Sequence, residues 1–581
     1  MPIRNKVDVK VVPGSGTHEP FLNVLTGQVG TLTPLFWDYV LPGQKSSIPA
    51  AFNVTLPPLA FDAHCRVDFK VEAFFVPLRL LSGGYEKWFA QHPYRMLGGS
   101  DIDCYLPVIG IRNPNKISDA TEAGVAAVWN NKFTKRGTLG DYLGFRCDIE
   151  LKKDQIAPGS NEVDERYISM LPFLAYHRLF HDWYRAPLVQ REVFLPVQTL
   201  TSVNQSYRVA CQPYVINDSS KYVFMPTGTI TESNDIFKLA DGKFIYDLRQ
   251  RNYGFDMFTM ATATKQSGTP MAIEVPVANN TGTFTIEAFR SANSLQLFKE
   301  RNLLAGPRFV DAIRAQYGVT LADGVAQRAL LLGSASFPVY SNTVVNDTGA
   351  VRSSTTNNPF AGLEGSQSGR ASCGGKIDLV KGFEAHEPGI IMVIGSLVPE
   401  PVYSTGLDKR LEYFCGAGSR VDLANAILQQ VGPEAINERE VAIEQVHAFF
   451  TEGRVFGYQD RYYPYMEMIR QSHGLVSPTG AFSAMIPWRV FAPLSYQQVQ
   501  INSDFLEIKP YALDNITAVT AQLSQYGYQL DSFFDYRSRK PLKAYSRPTL
   551  EDPAYEHGKT VTVNRGGTSS SVLTFGIIKK F

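Results

Sequence analysis

The clearest strand of the chain is marked by alternating apolar and charged side chains at residues 66–76. Val67, Phe69 and Val71 are separated by Asp68 and Lys70, and the alternation continues beyond them. A period of two is typical of a strand with one buried and one solvated face. We therefore expect a framework strand here, with Val67, Phe69 and Val71 inside.

A second strand is predicted at residues 389–398, where apolar side chains occupy both faces. Such a run is typical of a strand at the centre of a sheet. Shorter strand-like runs lie far apart, at residues 207–215, 221–225, 284–286 and 572–578. Strands separated by many tens of residues favour one β-framework that carries large excursions.

Helical patterns are fewer and do not alternate with the strands as a parallel sheet would require. They lie at residues 82–92, 170–183, 287–317 with a break near Gly306-Pro307, and 421–430. Residues 341–376 are dense in Ser, Gly, Thr and Asn, which predicts an exposed loop. These patterns favour an all-β class with a few helices.

Composition agrees with a folded, strand-rich protein. Hydrophobic residues make up 44% and charged residues 19% of 581 residues, and the chain contains 36 Phe, 28 Tyr and 35 Pro. Aromatic rings suit a pleated surface, and proline interrupts helices. The length requires either several domains or one core with very long loops.

The charge is balanced, with 56 Lys and Arg against 55 Asp and Glu, a formal net charge of +1. Any contact with nucleic acid must therefore be local. The first residues lack the apolar core of a signal peptide, and the longest apolar run is too short to span a bilayer. We expect a soluble protein made in a cytoplasm, without membrane insertion.

The six cysteines are spread without a CxxC pair, which argues against a disulfide framework and a structural zinc site. We interpret them as reduced packing residues: Cys65, Cys104, Cys147, Cys211, Cys373 and Cys415.

Two groups of residues resemble catalytic or metal sites without completing one. His177 and His181 are four apart on a predicted helix, but the glutamate of a zinc-protease motif is missing, so an aromatic helix face packed on a sheet is the better interpretation. Glu384, His386 and Glu387 indicate a polar segment leading into the next strand, because no nucleophile accompanies them. We predict no catalytic site, metal or cofactor, and the glycine pairs form no nucleotide-binding motif.

One basic segment stands out near the end of the chain. Five cations are interleaved with two tyrosines in DYRSRKPLKAYSRP, namely Arg537, Arg539, Lys540, Lys543, Arg547, Tyr536 and Tyr545. Cations bind phosphates, and exposed rings stack on unpaired bases, so this segment is a candidate DNA-binding site. A hydrated loop or a contact with an acidic neighbouring subunit fits the same residues.

Several phrases of the chain form an ordered set. In the first half of the chain they are Leu41-Pro42-Gly43, Phe74-Phe75-Val76-Pro77-Leu78-Arg79-Leu80, Glu86-Lys87-Trp88-Phe89, Gly140-Asp141-Tyr142-Leu143-Gly144, Leu171-Pro172-Phe173-Leu174-Ala175-Tyr176 and Asp182-Trp183-Tyr184-Arg185. The second half adds residues 286–290, 300–301 and 308–319, Glu387-Pro388-Gly389, Thr405-Gly406-Leu407, residues 455–462 and residues 531–535. The ordered set covers about residues 35 to 548, and it resembles the major capsid proteins of Microviridae, particularly the gokushovirus-like branch.

The resemblance implies a single eight-stranded antiparallel jelly roll over residues 1–581, with long inserted loops. It implies that sixty copies close a T=1 icosahedral shell around circular single-stranded DNA, in a virion assembled in the cytoplasm of a bacterial host. The partners implied are other copies of the chain, the packaged DNA, a small basic DNA-binding protein, a DNA pilot or minor capsid protein, and a host surface receptor. The genome is then expected to contact Arg537 to Arg547, with Arg4, Lys6 and Lys10 as further candidates.

The chain departs from the family pattern in two places. Only a short piece, residues 269–283, stands where gokushoviruses carry a large insertion before the long helix. The extra length lies at residues 199–247, which we expect on the outer surface as part of a protrusion. Residues 551–581 form a C-terminal extension beyond the last family phrase.

Two other functions are compatible with the same composition. A receptor-binding phage spike would form small cyclic oligomers, whereas a shell protein forms particles that sediment rapidly. An extracellular β-rich glycan-binding module or glycosidase would need a pair of converging carboxylates for hydrolysis, and no such pair is marked in the sequence.

Overall fold

Two antiparallel β-sheets, packed face to face, form the framework of the computed structural model. The structure describes residues 15–81, 85–89, 94–95, 101–102, 106, 108–112, 135–144, 165–193, 239, 241–263, 286–305, 309–322, 324, 327–345, 367–403, 406–412, 434–441, 455–460, 463–477, 480–486, 501–518, 523–541, 561–563 and 571–573.

The strands of this part of the chain are, in chain order, β1 (Ser15–Gly27), β2 (Thr33–Val40), β3 (Lys45–Thr55), β4 (Val67–Pro77), β5 (Tyr94–Arg95), β6 (Asp101–Ile102), β7 (Val108–Arg112), β8 (Glu165–Ser169), β9 (Leu330–Pro338), β10 (Tyr340–Val345), β11 (Gln367–Glu384), β12 (Gly389–Pro399), β13 (Glu434–Asn437), β14 (Val455–Gln459), β15 (Tyr528–Lys540), β16 (Val561–Val563) and β17 (Ser571–Leu573).

The α-helices are α1 (Tyr85–Phe89), α2 (Leu139–Tyr142), α3 (Leu171–Leu179), α4 (Ile286–Ala305), α5 (Phe309–Tyr317), α6 (Glu438–Val441), α7 (Tyr463–Met466), α8 (Ser503–Leu506) and α9 (Leu523–Tyr526). A π-helical turn, Phe180–Tyr184, continues α3, and short 3-10 helices lie at Leu78–Leu80, Lys409–Glu412, Gly474–Val476, Ser483–Met485 and Pro510–Ile516. None of the described helices is long and apolar enough to cross a membrane.

The larger sheet has the order β1-β15-β3-β11-β10, and the smaller has the order β2-β12-β4-β9. All pairings in both sheets are antiparallel. The strands that lie side by side are far apart in the chain, as when β1 pairs with β15. The long excursions predicted between strands follow from this topology.

Apolar side chains from both sheets form the main core. Phe52 of β3 and Phe534 of β15 meet with ring centroids 5.7 Å apart, and Phe52 also lies 6.1 Å from Phe69 of β4. Burial alternates along β3 and β15, so each of these strands presents one side to the core and the other outward. This alternation determines which side chains of β3 and β15 face outward.

The smaller sheet is covered on its other face as well. Phe74 and Val76 of β4 and Met392 of β12 join a second apolar cluster with α3. Tyr176 of α3 donates a hydrogen bond to the Leu32 carbonyl at 2.7 Å. Because both faces of the sheet are covered, every residue of β12 is buried.

Both strongly predicted strands are confirmed. Residues 67–77 form β4, in which Val67, Phe69 and Val71 are buried. The apolar run at 389–398 is β12, which lies between β2 and β4 as expected of a central strand. The helix predicted at 170–183 is α3 with its π-helical turn, and the one predicted at 287–317 is α4 and α5.

The exposed loop predicted for residues 341–376 is wrong where the structure describes it. β10 and the first part of β11 pair antiparallel across this stretch. Its glycines serve close packing: a Cβ on Gly375 would lie 2.5 Å from the Phe337 ring, and one on Gly369 would lie 2.2 Å from the Phe61 carbonyl oxygen. Small residues are needed there because neighbouring chain approaches closely.

Other predictions have mixed outcomes. Ile286 begins α4, so the strand predicted at 284–286 is wrong at that residue. Val572 lies in β17, which pairs with β16 inside the predicted C-terminal extension. Ile245 and Tyr246 are buried against α3, so residue 247 is too late an end for a surface insertion. The described residues do not include 199–238, which contains the strands predicted at 207–215 and 221–225. The helix predicted at 421–430 also lies outside them.

Candidate nucleic-acid interface

The predicted basic segment begins as a strand and not as a loop. Its first residues belong to β15, between β1 and β3, and burial alternates strictly over 532–539. Successive side chains of a strand point to opposite faces. The candidate residues are therefore divided: Tyr536 and Lys540 lie on the core side, and Arg537 and Arg539 lie on the outer side.

Tyr536 is inside the sandwich, with only 1% of its surface exposed. Its hydroxyl accepts a hydrogen bond from Nε2 of Gln44 at 2.8 Å, and its ring lies 5.2 Å from that of Phe36. Burial raises the pKa of this hydroxyl above its usual value. The expected stacking of this ring on a base is therefore wrong, because the core covers the ring.

Lys540 is half-buried between carboxylates. Its Nζ lies 3.4 Å from Oε1 of Glu19 and 3.6 Å from Oδ2 of Asp38, and 5.8 Å from the centre of the Tyr536 ring. These contacts neutralise its charge locally. Lys540 thus joins the end of β15 to β1 and β2, and it is a weaker candidate for a phosphate contact than the outward arginines.

Arg537 and Arg539 line an open groove on the outer face of the larger sheet. Arg537 lies opposite His18 of β1 and Ser47 of β3, and Arg539 lies opposite Lys45 of β3. The groove has a volume of about 520 Å³. We call it the basic groove, lined by Gly16, Thr17, His18, Lys45, Ser46, Ser47, Gly382, Arg537, Ser538 and Arg539.

Two carboxylates, those of the half-buried Asp535 and the exposed Glu384, partly balance the groove. Asp535 contacts His18 and Arg537, and the hydrogen bond from His18, followed by that from Arg537, lowers the pKa of Asp535 below its usual range. Lys45 pairs with Glu384 at 3.1 Å. The cations of these pairs are largely exposed, which keeps the pairs weak, so a phosphate can compete for them.

Sequence reasoning missed one aromatic residue on this face. Phe533 is outward-facing and 43% exposed, opposite Leu22 of β1 and Ala51 of β3. The signal was present in the order Phe533-Phe534-Asp535-Tyr536: once Phe534 and Tyr536 take the core side, Phe533 must point outward. Lys543, Tyr545, Arg547, Arg4, Lys6 and Lys10 lie outside the described residues.

A larger groove of about 970 Å³ opens between β1 and β2, the edge strands of the two sheets. Its lining combines apolar side chains such as Phe21 and Trp37 with three carboxylates, those of Glu19, Asp38 and Asp141, and one cation, Arg136. Because the carboxylates outnumber the cation, this groove is less favourable for an anionic ligand. The basic groove is therefore the better site for a phosphate.

His177 is a packing residue, as predicted. It is fully buried on α3, where its Nε2 lies 2.8 Å from the Ile245 carbonyl oxygen and its Nδ1 accepts a hydrogen bond from Nε of Arg249 at 3.0 Å. Burial, and then the nearby Arg249 charge, lower its pKa well below the usual value. His181 instead lies 3.4 Å from a carboxylate oxygen of Glu192.

The polar segment predicted before β12 is confirmed. Glu384 ends β11, and Glu387 accepts a hydrogen bond from Nε of Arg79 at 2.6 Å. In the described part of the chain, no group of three or more His, Cys, Asp or Glu side chains could hold a metal ion. Cys65 and Cys373 are free thiols whose pKa burial raises to about 12 and about 11.

Comparison with known proteins identifies the family. The model of the family described as capsid protein (F protein) matches residues 6–99 and 152–550. The capsid protein VP1 of Chlamydia phage 1 is 22% identical, with 89% of this chain and 92% of that protein covered. The VP1 proteins of Spiroplasma virus 4 and of Bdellovibrio phage phiMH2K are 21% and 23% identical, covering 93% and 89% of this chain and 96% and 92% of those proteins.

These matches confirm the resemblance to the capsid proteins of microvirus-type phages and the predicted structural role as a major capsid subunit of a virion. A capsid subunit assembles with copies of itself. The chain belongs to the capsid protein (F protein) family.

Proposed function

We propose that sixty copies of this chain close a T=1 icosahedral shell around a circular single-stranded DNA genome. The observation that carries this proposal is the family match over residues 6–99 and 152–550, most of the chain. The similar capsid proteins come from two phages and a spiroplasma virus, and the match covers 92% to 96% of each of those proteins. Closed symmetric assembly accounts for a long chain in which much sequence lies between framework strands.

The framework proposed for the subunit is an eight-stranded jelly roll. Counting β1, β2, β3, β4, β9, β11, β12 and β15 as strands one to eight, the two layers have the orders 1-8-3-6 and 2-7-4-5. A jelly roll has two such four-stranded layers, and here the chain passes from one layer to the other at every connection except that from strand four to strand five. β10 extends the larger sheet beyond β11 as an additional edge strand.

The rest of the chain is proposed to be insertions in one unit. Residues 199–238 remain a proposed surface protrusion, and residues 551–581 a C-terminal extension. The spike and the glycan-binding module explain the family match less well, and we propose no catalytic role for the chain.

Charge determines which partners the shell needs. Each chain has a formal net charge of +1, which is far too small to balance a densely packed polyanion. We therefore propose that a small basic DNA-binding protein neutralises most of the genome, with mobile counterions sharing the charge. A DNA pilot or minor capsid protein and a host surface receptor complete the proposed set of partners.

Local contact with DNA is proposed at the outward cations of β15, Arg537 and Arg539, together with Lys543 and Arg547 farther along the chain. Replacing Arg537 and Arg539 with Gln is expected to leave shells able to assemble while reducing nuclease-protected DNA, more strongly at high salt. Nuclease protection of purified shells measures this directly. Folded subunits that no longer assemble would instead assign the arginines to a subunit contact.

A further inference from the structure

The outer face of β15 carries an exposed ring and two arginines in one line. Phe533, Asp535, Arg537 and Arg539 occupy alternate positions and therefore share this face. We infer that a single DNA strand lies along β15, with phosphates on Arg537, Arg539 and Lys45 and with a base stacked on Phe533. This inference rests on the proposed function, in which the shell encloses single-stranded DNA.

The phosphate part of this surface is a small grid of cations. Neighbouring strands lie about 4.8 Å apart and alternate residues about 6.7 Å apart along a strand, so Arg539, Lys45 and Arg537 fall within one phosphate-sized region. Arg537 is 62% exposed and Lys45 is 59% exposed at the side chain. Arg539 is exposed and has no ion pair among the described residues.

The walls of the basic groove leave room for a backbone to approach. A Cβ added to Gly16 or to Gly382 would meet no atom within 4 Å, so neither position narrows the groove. Gly382 has φ of +61°, a conformation that favours glycine, and it lies where β11 departs from regular pairing with β3. The groove is therefore open at both β1 and β11.

The stacking part begins about 13 Å farther along the strand, four residues from Arg537. Phe533 shares this face with Leu22 and Val24 of β1, which are 62% and 72% exposed, and with the exposed Asp531 of β15. An exposed ring beside apolar side chains offers a base a stacking surface, and every base can stack regardless of sequence. The expected ligand is single-stranded DNA without strong sequence preference.

Asp535 lies between the ring and the arginines. Its contacts with His18 and Arg537 hold it in place, and its lowered pKa keeps it ionised. A phosphate would be repelled at that position. The backbone of the DNA strand is therefore expected to pass on the Lys45 and Arg539 side, while a base reaches across to Phe533.

A second copy of the chain could also cover the apolar part of this face. Such an interface would have to cover the adjoining cations as well, which costs free energy unless the partner supplies carboxylates. DNA supplies the opposite charge and a stacking partner together. The same surface thus fits nucleic acid better, and the test below includes the subunit contact as an outcome.

The test uses the full-length chain and two fluorescent oligonucleotides of equal length, oligo(dT) and its abasic counterpart. Phe533→Leu keeps an apolar side chain and removes the ring, and Leu475→Ala, at an exposed leucine outside the larger sheet, is the control. Phe533→Leu is expected to weaken binding of oligo(dT) about tenfold without affecting the abasic strand, while Leu475→Ala changes neither. Unfolding midpoints verify that the variants are folded.

Salt dependence tests the cations separately. The double variant Arg537→Gln/Arg539→Gln is expected to weaken both oligonucleotides and to reduce the slope of log affinity against log salt by about 1.4, or about 0.7 for each lost phosphate contact. Lys243→Gln, which changes an exposed lysine outside this face, should leave the slope unchanged. Unchanged slopes in the double variant would overturn the phosphate assignment.

Three outcomes separate this inference from the proposed function. If wild-type shells protect DNA from nuclease but Phe533→Leu affects oligo(dT) and the abasic strand equally, the stacking inference is wrong and the proposed function stands. If Phe533→Leu abolishes assembly without changing DNA affinity, the patch is a contact between copies. Wild-type shells that protect no DNA would overturn the proposed function, and this inference with it.

Discussion

Nε2 of Gln44 donates a hydrogen bond to the Tyr536 hydroxyl at 2.8 Å, inside the sandwich formed by the two sheets. The contact joins the turn before β3 to the last framework strand. Because successive side chains of a strand alternate between its two faces, an inward Tyr536 requires an outward Arg537 and an outward Phe533.

Replacing the Tyr536 hydroxyl tests whether this side chain lies in the core. Tyr536→Phe would remove the acceptor and leave a buried amide group with fewer partners, so we expect a loss of about 1–2 kcal/mol of unfolding free energy. DNA affinity should not change, since the ring is covered by the core. Denaturant titration measures the first effect, and Tyr511→Phe, at an exposed tyrosine, is the control. A folded Tyr536→Phe variant with weakened DNA binding would contradict the inward orientation.

The partly buried ion pair of Arg251 and Glu72 should contribute far more than an exposed one. Arg251 Nη1 lies 2.9 Å from Oε2 of Glu72, and Tyr184 donates a hydrogen bond to the same carboxylate. Arg251→Met is expected to lower the unfolding free energy by about 3 kcal/mol, because it leaves a desolvated carboxylate without its partner.

The matched comparison is Lys45→Met, which breaks the exposed pair with Glu384 and should change stability by less than about 1 kcal/mol. Denaturation midpoints of the two variants, measured side by side, test the difference. Equal losses would show that burial of the Arg251 pair does not set its strength.

His177 makes stability depend on pH. Its pKa is well below 6.5 in the folded chain, so the unfolded chain binds the proton more readily. The stability that comes from the neutral, buried ring is complete above pH 6.5 and decreases as the pH falls from 6.5 towards the folded pKa. His177→Gln, which keeps a donor and an acceptor, should reduce this slope. Unfolding midpoints between pH 7.5 and 5 give the measurement, and identical slopes in the two proteins would contradict it.

Two segments of the chain approach each other closely at Gly333, so an added side chain there should strongly lower the stability of the fold. A Cβ there would lie 1.9 Å from the Leu379 carbonyl oxygen, which is backbone and cannot rotate away. Gly333→Ala is therefore expected to destabilise the fold by about 1–3 kcal/mol. Gly16→Ala, where a Cβ meets nothing within 4 Å, should be nearly neutral. A thermal shift assay on both variants tests this contrast.

The sequence predicted features that local pattern controls. The alternation of apolar and charged residues predicted β4 and its inward side chains, and the run that is apolar on both faces predicted the central strand β12. Prediction from local pattern failed where pairing with distant segments of the chain determines the structure. Residues rich in Ser and Gly became β10 and β11 because partners far along the chain, such as β3, accept them at close range.

The candidate site shows the same division. The sequence marks a basic and aromatic segment, but not which of its side chains face outward, because that depends on the strand and on its neighbours β1 and β3. Tyr536 was expected to stack on a base and is buried, whereas Phe533, three residues earlier, is exposed. His18 and Lys45 could not be grouped with Arg537 from sequence, since they are about 500 residues away along the chain and meet it only through pairing.

The central claim is assembly of the full-length chain into a closed shell of sixty copies. The most direct measurement is electron cryomicroscopy of the particles that contain the chain, purified by sedimentation. Sixty chains of 64.5 kDa predict an icosahedral T=1 particle with about 3.9 MDa of capsid protein, in which each subunit has the strand order described above. Small cyclic oligomers, or a shell with a different number of copies, would contradict the account.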